Sequence, residues 1–239
     1  MTDRATRYLY LARHGEAAHH SPAGSESDGG SGGGSGGGSA GEVGGEANSG
    51  ADHDGLSPTG RRQAVLLGRR LAQRPLTAVH HGPLPRAAQT ARLIGDQLGG
   101  VPVSACEEAG DYVPYLPSAD ELPADSAEFL LRFLAQASSE ELSRGPELAR
   151  RAVDRFTGPV DGPEDRHELV VTHAFLIGWL VRHTLDAPAW RWLGLNAANA
   201  ALTVLRFAPG RPSAVLLLND QSHLPEELRW TGFPPELRA

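Results

Sequence analysis

Apolar residues in this chain fall in short runs separated by segments of helical spacing. Tyr8 to Ala12 (YLYLA) is a continuous apolar run of strand length and predicts a buried strand. Ser57-Pro58-Thr59 opens a helix in which Leu66, Leu67, Arg70 and Leu71 recur at helical spacing through Gln73. Thr77 to His81 predicts a second strand, Arg86 to Leu98 a helix with Ala87, Thr90, Ala91 and Ile94 on one face, and Val101 to Ser104 a third strand. Residues 107–125, rich in Pro and acidic groups, read as a surface loop. Asp125 with Glu128 resembles a capping box before FLLRFLAQA, and a further helix is expected from Pro146 to Phe156. Glu168 to Thr172 is the fourth strand and Ala174 to Thr184 the next helix. Ala201 to Phe207 and Ala214 to Leu218 close the series as two strands. The alternation predicts an α/β fold with a largely parallel sheet and helices on both faces.

One stretch breaks the pattern. Between residue 17 and about residue 55 the chain is Gly/Ser-rich and acidic, with almost nothing to bury. Such a composition cannot offset its ordering entropy, which predicts a disordered segment. Too few residues precede it to form a domain. It therefore reads as an insertion, at about 21–55, inside a single domain spanning 1–239.

Composition narrows the function classes. The net charge of -7 and the lack of a basic block argue against nucleic acid as a partner. All 22 basic residues are arginine, so any phosphate clamp must use guanidinium, imidazole and backbone N–H groups. A lone Cys106 leaves no intramolecular disulfide and no CxxC metal site. No stretch has the length and apolarity of a signal peptide or membrane span, so neither a membrane nor an oxidising compartment is expected. Together these features lead to the expectation of a cytoplasmic protein.

Three segments carry candidate chemistry, each directly after a strand. Leu11-Ala12-Arg13-His14-Gly15-Glu16 puts a cation, an imidazole and a glycine beyond the first strand, where open α/β sheets bind ligands. Pro83-Leu84-Pro85-Arg86-Ala87-Ala88-Gln89-Thr90-Ala91 places Arg86 at a helix N-terminus, which already favours an anion. Val171-Thr172-His173-Ala174 sets His173 at the end of the fourth strand. Adjacent histidines in a strand point to opposite faces, so His80 and His81 do not read as joint ligands. His19 and His20 border the insertion and read as solvated. No metal site and no cofactor are expected. Asn196 and Asn199, ahead of the strand at Ala201, read either as braces of the site or as turn residues.

Taken together and in this order, the three segments resemble the histidine phosphatase superfamily, the phosphoglycerate mutase-like proteins. The resemblance covers nearly the whole chain apart from the insertion and the C-terminal tail. It implies a three-layer α/β/α sandwich and a histidine nucleophile at the position of His14. It also implies a phosphoryl grip from Arg13, Arg86 and His173, and a carboxylate acid after the third strand. Glu107, Glu108 and Asp111 are candidates for that acid. Asp111 fits best by its spacing from Arg86 and the proline three residues later, although relatives more often carry glutamate; Glu107 is the second choice. The expected activity is a metal-independent phosphatase, a phosphoric monoester hydrolase of the histidine acid type, with a phosphohistidine intermediate and a small phosphorylated substrate.

Two alternatives stand beside this. The cofactor-dependent mutases of the superfamily read Arg-His-Gly-Glu-Ser-x-Trp-Asn at the first segment, whereas this chain reads Arg-His-Gly-Glu-Ala-Ala-His-His and then enters the insertion. A non-catalytic phospho-ligand binder would keep the pocket and lose the acid.

Overall fold

The structure, a computed structural model, describes residues 3–18 and 55–238. The predicted insertion lies almost wholly outside the described residues. Strands β1 (Arg4–Ala5) and β2 (Arg7–Arg13) come first, followed by helix α1 (Pro58–Leu71), β3 (Ala78–His81), α2 (Pro85–Gly95) and β4 (Val103–Ala105). Then come α3 (Ala127–Leu134), α4 (Ser139–Phe156), β5 (Val160–Asp161), β6 (Arg166–Thr172), α5 (Ala174–Thr184), β7 (Leu202–Phe207) and β8 (Ala214–Asp220).

Six strands form one sheet in the order β4-β3-β6-β2-β7-β8. The pairings β3–β4, β3–β6 and β2–β6 are parallel, whereas β2–β7 and β7–β8 are antiparallel. The sheet is thus mixed, parallel in the half that carries the predicted motifs.

Alternation along each strand sorts side chains to two cores. Leu9, Leu11, Val170 and Leu205 pack on one face with Ala149, Ala152 and Phe156 of α4 and Leu176, Ile177 and Leu180 of α5. Tyr10, Ala12, Leu169, Val171 and Val204 pack on the other with Leu67 and Leu71 of α1 and Ala87, Ala91 and Ile94 of α2. Burial on both faces is why the central strands read as continuous apolar runs. The result is the expected three-layer α/β/α sandwich.

Three local expectations are corrected. Helix α4 starts at Ser139, about two turns before Pro146, because Ser138 and Glu141 form a true capping box: Glu141 N–H donates to Ser138 Oγ at 3.2 Å and Ser138 N–H to Glu141 Oε2 at 2.8 Å. Pro146 sits inside the helix, where its missing N–H leaves Leu142 C=O without an i→i−4 partner. The box expected at Asp125 and Glu128 is not formed; Ser126 is the N-cap of α3, without a side-chain bond. The 107–125 stretch runs over the surface only in its second half, from 118 to 125, and even there Leu122 turns inward. Ala109, Tyr112, Val113 and Leu122 are buried in the core, and Ala109 C=O accepts the Thr172 hydroxyl at 2.8 Å.

Candidate active site

The parallel register of β2 and β6 sets Arg13 opposite Thr172. His14 and His173 therefore leave neighbouring strands at the same level, and their rings stand 4.9 Å apart. His14 continues the ladder by donating its N–H to Thr172 C=O at 3.0 Å. From β7's side, Ala200 N–H donates to Arg13 C=O at 3.0 Å and to His14 C=O at 3.2 Å, and Asn199 Nδ2 donates to His14 C=O at 3.0 Å. Asn199 is thus a brace of the site, one of its two sequence readings.

Gly15 permits the close packing of α1 against this turn. A Cβ there would lie 2.5 Å from Gly60 C=O, and a Cβ at Gly60 would lie 2.1 Å from Glu16 C=O. Buried polar side chains then satisfy the turn's donors: Gly15 N–H donates to Thr90 Oγ1 at 3.0 Å, and Glu16 N–H to Gln63 Oε1 at 2.9 Å.

The hydrogen bonds of His14 assign its tautomer. Its Nδ1 lies 2.7 Å from Gly15 C=O, an acceptor, so Nδ1 carries the proton. Its Nε2 receives the Nε–H of Arg86 at 3.3 Å, which requires a lone pair there. Both contacts describe one neutral imidazole with Nε2 as the basic atom. Burial, then the His173, Arg13 and Arg86 charges, pushes the His14 pKa well below its ordinary range. His173 shifts the same way, through burial and then Arg86 and Arg13.

Asp111 closes the group. Its Oδ2 lies 3.0 Å from Arg86 Nη2 and 3.3 Å from His173 Nδ1. Burial raises its pKa, outweighing the lowering effect of Arg86 and Arg13. Both ring nitrogens of His173 are buried without a hydrogen-bond partner among the described residues. Arg13 Nη1 donates to Ala197 C=O at 2.9 Å and to Gly232 C=O.

The other two carboxylates lie elsewhere. Glu107 is exposed on the rim, 4.0 Å from Arg151. Glu108 is buried and ion-paired with Arg151 and, at 3.1 Å, with Arg155 of α4, so it is occupied in holding the 107–113 stretch to that helix. Beyond Arg86 and Asp111 a cleft of about 700 Å³ opens toward the α3–α4 junction, lined by Phe133, Leu148, Arg144 and Phe175 among others.

Gln63, Thr90, Thr231 and Gly232 had no assigned part in the sequence reading. Gln63 and Thr90 had one signal available: each is a polar residue on an otherwise apolar helix face, with no exposure at all.

The histidine phosphatase superfamily (branch 1) model matches residues 9–221. Curated relatives include the mitochondrial serine/threonine-protein phosphatase Pgam5 of Caenorhabditis briggsae, 29% identical over 74% of this chain and 60% of that protein. The human mitochondrial serine/threonine-protein phosphatase PGAM5 is 28% identical over 72% of this chain and 57% of its own length. The chain thus spans less than two thirds of the length of these relatives. Among solved structures, a phosphoglycerate mutase from Plasmodium falciparum aligns with a TM-score of 0.53 at 16% identity, covering 93% of this chain and 96% of that one.

The relatives overturn the expectation of a cytoplasmic protein, since both are mitochondrial by name. A lone cysteine does not distinguish one reducing compartment from another, which is why composition misled. Among the described residues no helix is long and apolar enough to cross a membrane. On its match over residues 9–221, the chain belongs to the histidine phosphatase superfamily, branch 1.

Proposed function

We propose that this protein hydrolyses phosphomonoesters, without a metal, through a phosphohistidine on His14. The observation that carries this reading is the tautomer of His14: Nδ1–H held by Gly15 C=O and the Nε2 lone pair presented beside Arg86. A neutral, oriented imidazole nitrogen is a competent nucleophile at neutral pH.

In the first step the Nε2 lone pair attacks phosphorus and the P–O bond to the leaving group breaks. Asp111, whose pKa burial raises, gives a proton to the departing oxygen. In the second step water attacks phosphorus, the P–N bond breaks, and its electron pair returns to Nε2. Asp111, now a carboxylate, takes the water's proton. Arg13 and Arg86 hold the equatorial oxygens, supplying the charge stabilisation phosphoryl transfer needs. A phosphoryl oxygen also gives a partner to the buried Nε2 of His173, whose isolation otherwise costs about 1–3 kcal/mol.

The leaving group occupies the cleft of about 700 Å³, which has room for a small phosphorylated metabolite. Phosphoserine and phosphothreonine are alkyl monoesters of the same kind, and the names of the curated relatives support testing them.

The test is rapid-quench analysis of the purified protein with an aryl phosphate in EDTA, beside His14→Ala. Turnover and an acid-labile phosphoenzyme are expected in the wild type, with both lost in the variant. A phosphoenzyme that persists in His14→Ala, or turnover abolished by EDTA, overturns the reading.

A further inference from the structure

The chain after β8 returns to the turn that carries His14. Leu228 is buried and anchors this return, and Trp230 N–H donates to Gln221 Oε1 at 2.7 Å. Two routes then lead from the tail to residues 13–16. Along the first, Gly232 C=O accepts from Arg13 Nη1, whose second proton goes to Ala197 C=O at 2.9 Å. Thr231 C=O meanwhile accepts the Asn199 N–H at 3.0 Å, steadying the residue that braces His14 C=O. Along the second, Leu228 C=O and Thr231 Oγ1 accept both protons of Gln63 Nε2, at 2.9 and 2.8 Å. The same amide's Oε1 holds Glu16 N–H at 2.9 Å.

Gly232 is fitted to this place for a reason of shape. Its φ is +64°, and a Cβ there would lie 2.2 Å from Asn199 Oδ1 and 2.9 Å from Arg13 Nη1. The family match ends at residue 221, so none of this segment lies within it.

We propose that the tail, through Gly232, is a positioning element for the Arg13 guanidinium, and that the phosphoryl clamp is incomplete without it. An Nη group has two donors. With both bound to carbonyls, the guanidinium plane cannot swing, and its remaining edge is fixed relative to His14. Misplacing such a clamp by about 1 Å costs on the order of 100-fold in rate. The inference rests on the phosphatase reading above.

The test uses Gly232→Ala and a chain ending at Arg229, each alone and combined with Arg13→Ala. Three quantities are read: thermal midpoint, kcat/KM on an aryl phosphate, and affinity for inorganic phosphate. Both tail variants are expected to melt within a few degrees of wild type while kcat/KM falls about 100-fold and phosphate binding about 10-fold. In the Arg13→Ala background the same changes are expected to add almost nothing, because residues acting as one unit are non-additive. Wild-type kinetics in either tail variant, or a loss undiminished by Arg13→Ala, overturns the inference. If Gly232→Ala does not fold, the shortened chain decides; a shortened chain that also fails to fold makes the tail structural and overturns it. Wild-type protein that neither turns over nor binds phosphate overturns the phosphatase reading and this inference with it.

Discussion

Asp111 and Arg86 are joined by a 3.0 Å contact, yet the carboxyl sits above its ordinary pKa because burial outweighs the neighbouring guanidinium. An ion pair that ended there would hold the acid ionised and useless as a proton donor. The two shifts run in opposite directions, up for the Asp111 carboxyl and down for the His14 imidazole, which is the direction an acid and a nucleophile sharing one site require.

Asp111→Asn is therefore expected to lower kcat/KM for alkyl phosphates by about 100-fold or more while barely affecting an activated aryl phosphate, whose leaving group needs no proton. The pH profiles follow from the two shifts. His14 is pushed below 6.5, so the nucleophile stays neutral, and activity survives, to pH values under 6.5. With alkyl substrates activity falls as pH rises through the elevated pKa of Asp111; with aryl substrates that limb flattens. Equal losses on both substrates would remove Asp111 as the acid.

Stability should weaken in mild acid. His223, buried against Arg70 with Nδ1 3.1 Å from its Nη1, is pulled down to about 4 by burial and then by that charge. The folded imidazole stays neutral while the unfolded one protonates below about 6.5, so stability is intact above that pH and is lost as pH falls toward 4. Thermal midpoints measured from pH 7 to 4 should decline less steeply for His223→Gln. An unchanged slope would place the acid sensitivity elsewhere.

Gly60→Ala should destabilise by about 1–3 kcal/mol, since its Cβ would meet a backbone oxygen that cannot rotate away. That oxygen, Glu16 C=O, stands 2.1 Å from the Cβ position. A Tm within a degree of wild type would mean that α1 slides without cost.

Phe133 meets Phe175 edge-on with centroids 5.9 Å apart along the cleft. Phe133→Ala is expected to raise KM for an aryl phosphate about tenfold with kcat nearly unchanged, because it removes binding common to ground and transition states. A fall in kcat with constant KM would show that the ring acts on the chemistry instead.

Much of this was legible in the sequence. The central strands were, because burial on both faces leaves unbroken apolar runs such as Leu9 to Ala12. Arg13, His14, Arg86 and His173 were, because each follows a strand and carries a distinctive side chain. Strands β1 and β5 were not: at two residues each they show no period. Helix α4 was read as starting late because proline is a favoured first helical residue, whereas the Ser138–Glu141 cap starts the helix earlier. The grip of Gly232 on Arg13 was invisible for a deeper reason. It is made by a main-chain carbonyl, and every residue has one.

At the other end of the site, Ala18 N–H donates to Gly55 C=O at 2.8 Å, and Ala17 bridges Leu56. Ala18, four residues past His14, is thus fastened directly to Gly55. A flexible linker between positions so fastened costs only about 0.6 kcal/mol more for each doubling of its length. That makes the Ala18–Gly55 pair a natural port for grafting: a reporter domain or affinity handle joined there would ride beside the phosphate site without entering the sheet that builds it.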